Sequence, residues 1–122
     1  MAVDIATLRR LALALPQVDD RSGEDRLAFE VVGKGIAWTY LVRAAPKKPR
    51  LPQIGVLAVR CEMARKELLI EAAPDRFFDD DHYRGFPAVL VRLDQVDADE
   101  LAGLLRDAWR IQAPKTMRAE LP

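Results

Sequence analysis

Four basic side chains are the best-placed groups in this chain for chemistry with an anion. Lys47, Lys48 and Arg50 stand together in Ala44 to Gln53 (AAPKKPRLPQ), and Lys34 sits within Gly33-Lys34-Gly35. Clustered Lys and Arg bind the phosphates of a nucleic-acid backbone, and a hairpin loop that carries them can reach a groove as a wing. Pro46, Pro49 and Pro52 stiffen the first loop and limit the entropy lost on binding. The same loop has a plainer reading, a solvated connection kept soluble by its charge. Four contacts at most imply weak binding with a steep salt dependence, a logarithmic slope of roughly −0.9 per phosphate neutralised.

Asp79-Asp80-Asp81-His82 sets an acidic run beside the single histidine. Carboxylates and imidazole are metal ligands. Consecutive loop residues point in different directions, however, and no second His or Cys cluster completes a site. No metal is expected; the acids are solvated in a turn that His82, beside Tyr83, supports by hydrogen bonding. Cys61 follows an expected strand and precedes an expected helix, whose N-terminus would favour a thiolate. With no histidine near it in sequence, an inert, partly buried thiol is the simpler reading. Trp38, Tyr40 and Trp109 have the chemistry of a stacking surface for bases, but alternation and helical spacing place Trp38 and Trp109 in packing. Arg92 and Arg110 are read as structural, meeting across a sheet–helix interface or pairing with Asp94 and Asp107. Arg110 and Lys115 also fall near a helix C-terminus, where the dipole favours cations. The chain contains no GxxxxGK[ST], HExxH, GxSxG or CxxC pattern, so no catalytic residue and no cofactor are assigned.

Formal net charge is zero over 122 residues, which argues against a strong nucleic-acid binder. The charge is unevenly spread. Residues 27–60 hold six basic groups and one acid, a net +5, while residues 61–81 hold three basic groups and seven acids, a net −4. Such an asymmetry can make a dipolar surface. A hydrophobic content of 50% argues against disorder. The length suits one domain with a modest two-layer core. No apolar run approaches the roughly 20 residues of a membrane span, and no basic segment followed by a long apolar core opens the chain. One cysteine cannot form an internal disulfide. A cytoplasmic location without a membrane partner is expected.

The elements that must position these groups follow from the apolar pattern. Asp4 caps a first helix with Ile5, Leu8, Leu11, Ala12 and Leu15 inward, closed by Pro16. A polar loop covers residues 17–26. Leu27 to Val32 alternates, with Leu27, Phe29 and Val31 on one side. A tight turn at Gly33-Lys34-Gly35 leads into Ile36 to Arg43, where Ile36, Trp38, Tyr40 and Val42 share a face. Ile54 to Arg60 is a third strand, with Val56 and Ala58 opposed to Leu57 and Val59. Glu62 to Ala72 reads as a helix with Ala64, Leu68, Leu69 and Ala72 inward, stopped by Pro74. Asp75 to Asp81 reads as a helical turn and loop. Ala88 to Val91 is an apolar strand buried on at least one side. Asp97 then caps a helix, Glu100 completes a capping box, and Val96 with Leu101 forms a hydrophobic staple. Leu101, Leu104, Leu105, Ala108 and Ile111 face inward, and Pro114 ends the helix. The order α-β-β-β-α-β-α, with short strand connections, favours an antiparallel sheet covered by helices.

The last third also carries a family pattern. Tyr83, Gly85, Phe86 and Pro87 form a Tyr-x-Gly-aromatic-Pro turn. Ala88 to Leu93 is an AVLVRL strand. Asp97, Glu100 and Leu101 give a DxxEL helix start, followed by Ala108-Trp109-Arg110 and Ala113-Pro114-Lys115. Upstream, Gly33-Lys34 with Ile36-Ala37, and Ala73-Pro74-Asp75 with Phe77-Phe78, fall in the matching order. With these motifs, roughly residues 1–118 resemble the MmcQ/YjbR family of small bacterial proteins, described as DNA-binding; residues 119–122 are read as a tail. The resemblance implies a single α+β, two-layer domain of the frataxin-like (CyaY-like) type, an antiparallel sheet with helices packed on one face. It also implies a double-wing arrangement for DNA, which two basic hairpins fit. Two functions follow as expectations. One is a non-enzymatic DNA-binding protein contacting phosphates through Lys34, Lys47, Lys48 and Arg50. The other is a module that binds a protein or small ligand on its sheet face; a deep apolar pocket would favour it over a clustered basic face.

Overall fold

Asp4 opens the first helix as its carboxylate accepts the Thr7 backbone N–H at 2.7 Å, and α1 (Ile5–Leu13) follows. Leu8 and Ala12 are buried, whereas Ile5 is 42% exposed and joins a surface cavity instead of the core. The computed structural model describes residues 2–43 and 45–121, with Ile54 described by its backbone alone. Ala44, which opens the expected basic loop, and Met1 and Pro122, at the ends of the expected domain and tail, lie outside the described residues.

The strands are β1 (Val18–Asp20), β2 (Ala28–Val31), β3 (Lys34–Arg43), β4 (Arg50–Arg60), β5 (Phe77–Phe78) and β6 (Ala88–Arg92). They form one six-stranded sheet in the order β1-β2-β3-β4-β6-β5, every neighbour antiparallel. The expected α+β class holds, and so does the expected order for the long elements. Two short edge strands are added: β1 within the expected polar loop, and β5 where a helical turn was expected. β6 is inserted between β4 and β5, so both its edges are paired, and Ala88 to Val91 are all buried, Val89 and Val91 in the helix-side core and Ala88 and Leu90 in a cluster on the other face.

One face of the sheet carries the main core. Phe29, Val31, Ala37, Leu57, Val59, Val89 and Val91 pack there against Leu8 and Ala12 of α1 and against α3 (Ala98–Gln112). Leu101, Leu104, Leu105, Ala108 and Trp109 of α3 are buried, each large side chain contributing on the order of 2 kcal/mol by leaving water. Asp97 caps α3 through the Glu100 N–H at 2.8 Å. The Glu100 carboxylate pairs with Arg76 at 3.0 Å instead of closing a capping box. Val96 and Leu101 are both fully buried, as a staple requires. Ala113 leaves the helix with ψ 144, the extended backbone that a following proline imposes. A short 3-10 helix, Lys115–Glu120, follows, with Met117 and Leu121 packed on the core.

Ile36 departs from the expected face. The β2–β3 register shifts between Phe29 and Glu30, so Ile36 and Ala37 both join the helix-side core while Trp38, Tyr40 and Val42 gather on the other face. α2 (Met63–Ala72) keeps only Leu69 of its expected inward residues packed on the core: Leu68 is 66% exposed, Ala64 and Ala72 are exposed, and the buried residue is Lys66.

Candidate nucleic-acid interface

β3 and β4 outrun their neighbours. The pairing of β2 with β3 ends at Trp38, and that of β6 with β4 ends at Val56 opposite Arg92. Beyond an irregularity between Thr39↔Leu57 and Leu41↔Pro52, where Gly55 takes φ +88, the two strands continue as a two-stranded arm. Pro52 is tolerated there because no strand lies beyond that stretch of β4 to need its missing N–H.

The arm carries Arg43, Lys47, Lys48 and Arg50 and no carboxylate from Leu41 to Gln53. Arg43 and Arg50 are register partners. Lys47 adopts φ 68, in the left-handed region, and Lys48 donates its backbone N–H to Ala45 O at 3.1 Å. Arg43, Lys47 and Lys48 are exposed. Arg50 is half-buried as the first residue of β4, and its Nη1 donates to Leu41 O at 3.2 Å. None of the ion pairs among the described residues involves these four cations. The expected loop is thus shorter than its sequence suggested, and Arg50 belongs to the ribbon.

Lys34 does not join them. The turn before it is made by Val32 (φ 47) and Gly33 (φ 78), and Lys34 is the first residue of β3. β3 has 10 residues, so Lys34 and the arm's turn stand on the order of 30 Å apart, at opposite ends of the sheet. The groups beside Lys34 are Lys115 and Arg118, which line a cleft of about 310 Å³ with it. Arg43 was within reach of the sequence reading, since a hairpin through Lys47-Lys48 brings it opposite Arg50. Nothing local to Lys34 signals Lys115 or Arg118.

The acids expected to be solvated are paired instead, Asp79 and Asp80 half-buried and bonded to groups beyond their own turn. Asp79 Oδ1 pairs with Lys66 Nζ at 3.0 Å. Asp80 accepts the Tyr83 N–H at 2.8 Å and the Tyr40 hydroxyl proton. Asp81 pairs with Arg84 at 2.7 Å. His82 does not make the expected hydrogen bond: among the described residues its side chain packs edge-on against Tyr83 instead. Among the described residues no three His, Cys, Asp or Glu side chains converge. Lys66 Nζ also donates to Tyr83 O at 2.8 Å and Phe86 O at 3.0 Å, and Trp38 Nε1 donates to Tyr83 Oη at 2.9 Å. Burial, then the neighbouring Asp80 carboxylate, pushes Tyr40 up to about 12, while the Arg50 charge opposes them. Burial likewise raises Tyr83. Trp38 and Tyr40 are therefore committed to packing with the Tyr83 turn. Trp109 is fully buried and donates to Pro16 O at 2.8 Å.

Cys61 is 2% exposed, and burial pushes its thiol up against the opposing charges of Lys66, Arg65 and Arg60. Arg110 pairs with Asp107 at 3.6 Å. Arg92 instead donates to Pro74 O at 3.1 Å and lies 4.1 Å from the Phe78 ring centroid. A cavity of about 520 Å³ opens beside the base of the arm, floored by Leu27, Val56, Leu57 and Leu93 and edged by Arg9 and Glu24. Chemically, the arm offers cations with no acid beside them to an extended anion, and the cavity offers an apolar floor to a small molecule.

The YjbR family model matches residues 13–111. The uncharacterized protein Mb2600 of Mycobacterium bovis is 34% identical over 99 residues, covering 81% of this chain and 75% of that one, and the uncharacterized protein Rv2570 of Mycobacterium tuberculosis matches equally. The crystal structure of Deinococcus radiodurans protein DR2400, family-model domain DUF419, aligns with a TM-score of 0.64 at 26% identity, covering 93% of this chain and 84% of that one.

Proposed function

The chain belongs to the YjbR family, and from that premise we propose that it is a non-enzymatic, cytoplasmic protein that holds the phosphate backbone of DNA through the β3–β4 arm. The observation that carries this reading is the arm itself, a ribbon standing clear of the sheet with Arg43, Lys47, Lys48 and Arg50 and no acid among them. A slender ribbon can follow a groove or lie along a strand, and cations without internal ion pairs exchange their counterions for phosphates. No base-reading set accompanies them, because Trp38, Tyr40 and Trp109 are held in packing. Binding is then weak, indifferent to sequence and governed by salt.

Fluorescence anisotropy with short labelled duplexes tests this. If all four cations neutralise phosphates, the slope is about −3.6, and affinity falls about 150-fold between roughly 50 and 200 mM salt. Changing Lys47, Lys48 and Arg50 to Ala removes most of that slope. Absence of binding at low salt overturns the proposal. The 520 Å³ cavity supports a second reading, a module that takes a small ligand, since its volume and apolar floor fall in the range of small-molecule sites. Absence of duplex binding at low salt favours that reading, whereas binding that survives loss of the arm's charges places the DNA contact outside the arm.

A further inference from the structure

We propose that the cleft between the β2–β3 turn and the end of α3 is a binding site for small organic phosphates, separate from the arm and independent of its reading. The cleft measures about 310 Å³ and is lined by Val32, Lys34, Ile111, Gln112, Pro114 and Lys115, with Arg118 closing one side. It is built from two distant parts of the chain. Gln112 Nε2 donates to Gly35 O at 3.0 Å, which ties the helix end to the turn and brings Lys34 and Lys115 to one cleft.

Three features select the ligand. Lys34, Lys115 and Arg118 are exposed, no carboxylate lines the cleft, and none of the three takes part in the ion pairs among the described residues. The C-terminus of α3 does carry negative charge, and cations gather at such ends, but a helix terminus supplies only about half a unit. Three unit charges therefore leave a surplus of about two and a half, close to what a phosphate dianion would neutralise. Val32, Ile111 and Pro114 add apolar surface to the lining, which suits an organic body on the phosphate better than a bare ion. A second depression of about 430 Å³ adjoins it through Ile111 and Arg118. There Asp107 is already taken by Arg65 at 3.4 Å and Arg110 at 3.6 Å.

The test follows backbone amide shifts of the full chain during titration with phenyl phosphate, inorganic phosphate and chloride at matched ionic strength. Phenyl phosphate is expected to give saturable shifts confined to residues 32–35 and 111–118, with inorganic phosphate weaker there and chloride inert. Replacing Lys34 and Arg118 together by Ala should weaken phenyl phosphate about tenfold, two charge-assisted contacts at an exposed site each being worth about threefold. Unchanged amide shifts outside the cleft will show that this variant is folded. Shifts that chloride reproduces, that spread over the surface, that centre on residues 43–50, or that persist in the variant would each overturn the proposal.

Discussion

Lys66 is 1% exposed on a helix whose other charged residues face water, and replacing it with Met tests whether its ammonium holds the Tyr83 turn. Methionine keeps the length and apolar contacts of the stem and deletes three bonds, to Tyr83 O, Phe86 O and Asp79. No acceptor is fully orphaned. Tyr83 O still takes the Phe86 N–H at 2.9 Å, Phe86 O the Ala88 N–H at 2.8 Å, and Asp79 Oδ1 the Asp80 N–H at 2.9 Å. Hydrogen bonds to a charged group are worth about 1.5–3 kcal/mol each. The ion pair adds about 1 kcal/mol or less, because Asp79 is 30% exposed. Removing a buried ammonium offsets part of the loss, since a desolvated charge is itself costly. The expected net destabilisation is about 2–3 kcal/mol. At about 2.1 cal/mol/K per residue, a chain of 122 residues then loses about 8–12 °C in Tm. Urea unfolding followed by tryptophan fluorescence measures this, with Asp79→Asn as a milder companion expected at about 1 kcal/mol or less. A Lys66→Met protein within about 0.5 kcal/mol of the parent would refute the reasoning. The rings of Trp38, Tyr40 and Phe86 around Tyr83 would then hold the turn by themselves.

Tyr40 sets the alkaline limit of stability. Its folded pKa of about 12 lies above its ordinary 10.0, so folding favours the protonated phenol; this stabilisation is whole below about pH 10 and is lost as pH climbs towards 12. Unfolding midpoints across that window should fall, and Tyr40→Phe should flatten the fall, leaving the part that the raised Tyr83 contributes. Val32 is a β-branched residue at φ 47, 55% exposed, before Gly33 at φ 78. Two left-handed residues in a two-residue hairpin turn favour Asn-Gly, so Val32→Asn should stabilise by about 1 kcal/mol in urea unfolding.

α3 was legible because several local signals agreed, the Asp97 cap, the Val96–Leu101 staple, the apolar stripe and Pro114, even though Glu100 turned to Arg76 instead of closing a capping box. α2 misled for a physical reason. Its apolar residues suggest one rotation, but the side chain that fits the interior is Lys66, whose partners lie 13 to 20 residues away in a turn that periodicity cannot see. β1 and β5, at three and two residues, are too short for alternation to register, and their existence depends on the strands beside them. The side taken by Ile36 turned on an irregularity shared with another strand. The cationic groups divide in the same way. Lys47 and Lys48 declare themselves as neighbours in sequence, whereas the company Lys34 keeps is decided by where α3 ends.

The two edge strands also constrain how another protein can approach. A peptide that docks by β-augmentation needs a rail of free backbone donors and acceptors several residues long. β1 offers three residues, two of them aspartates, and β5 offers two. Among the described residues the arm exposes longer stretches of unpaired backbone, and it guards them with Pro49, Pro52 and its cations. The sheet is thus closed to sideways growth at both margins, and a protein that recognises this domain must read side chains on its surface, not extend its hydrogen-bonded ladder.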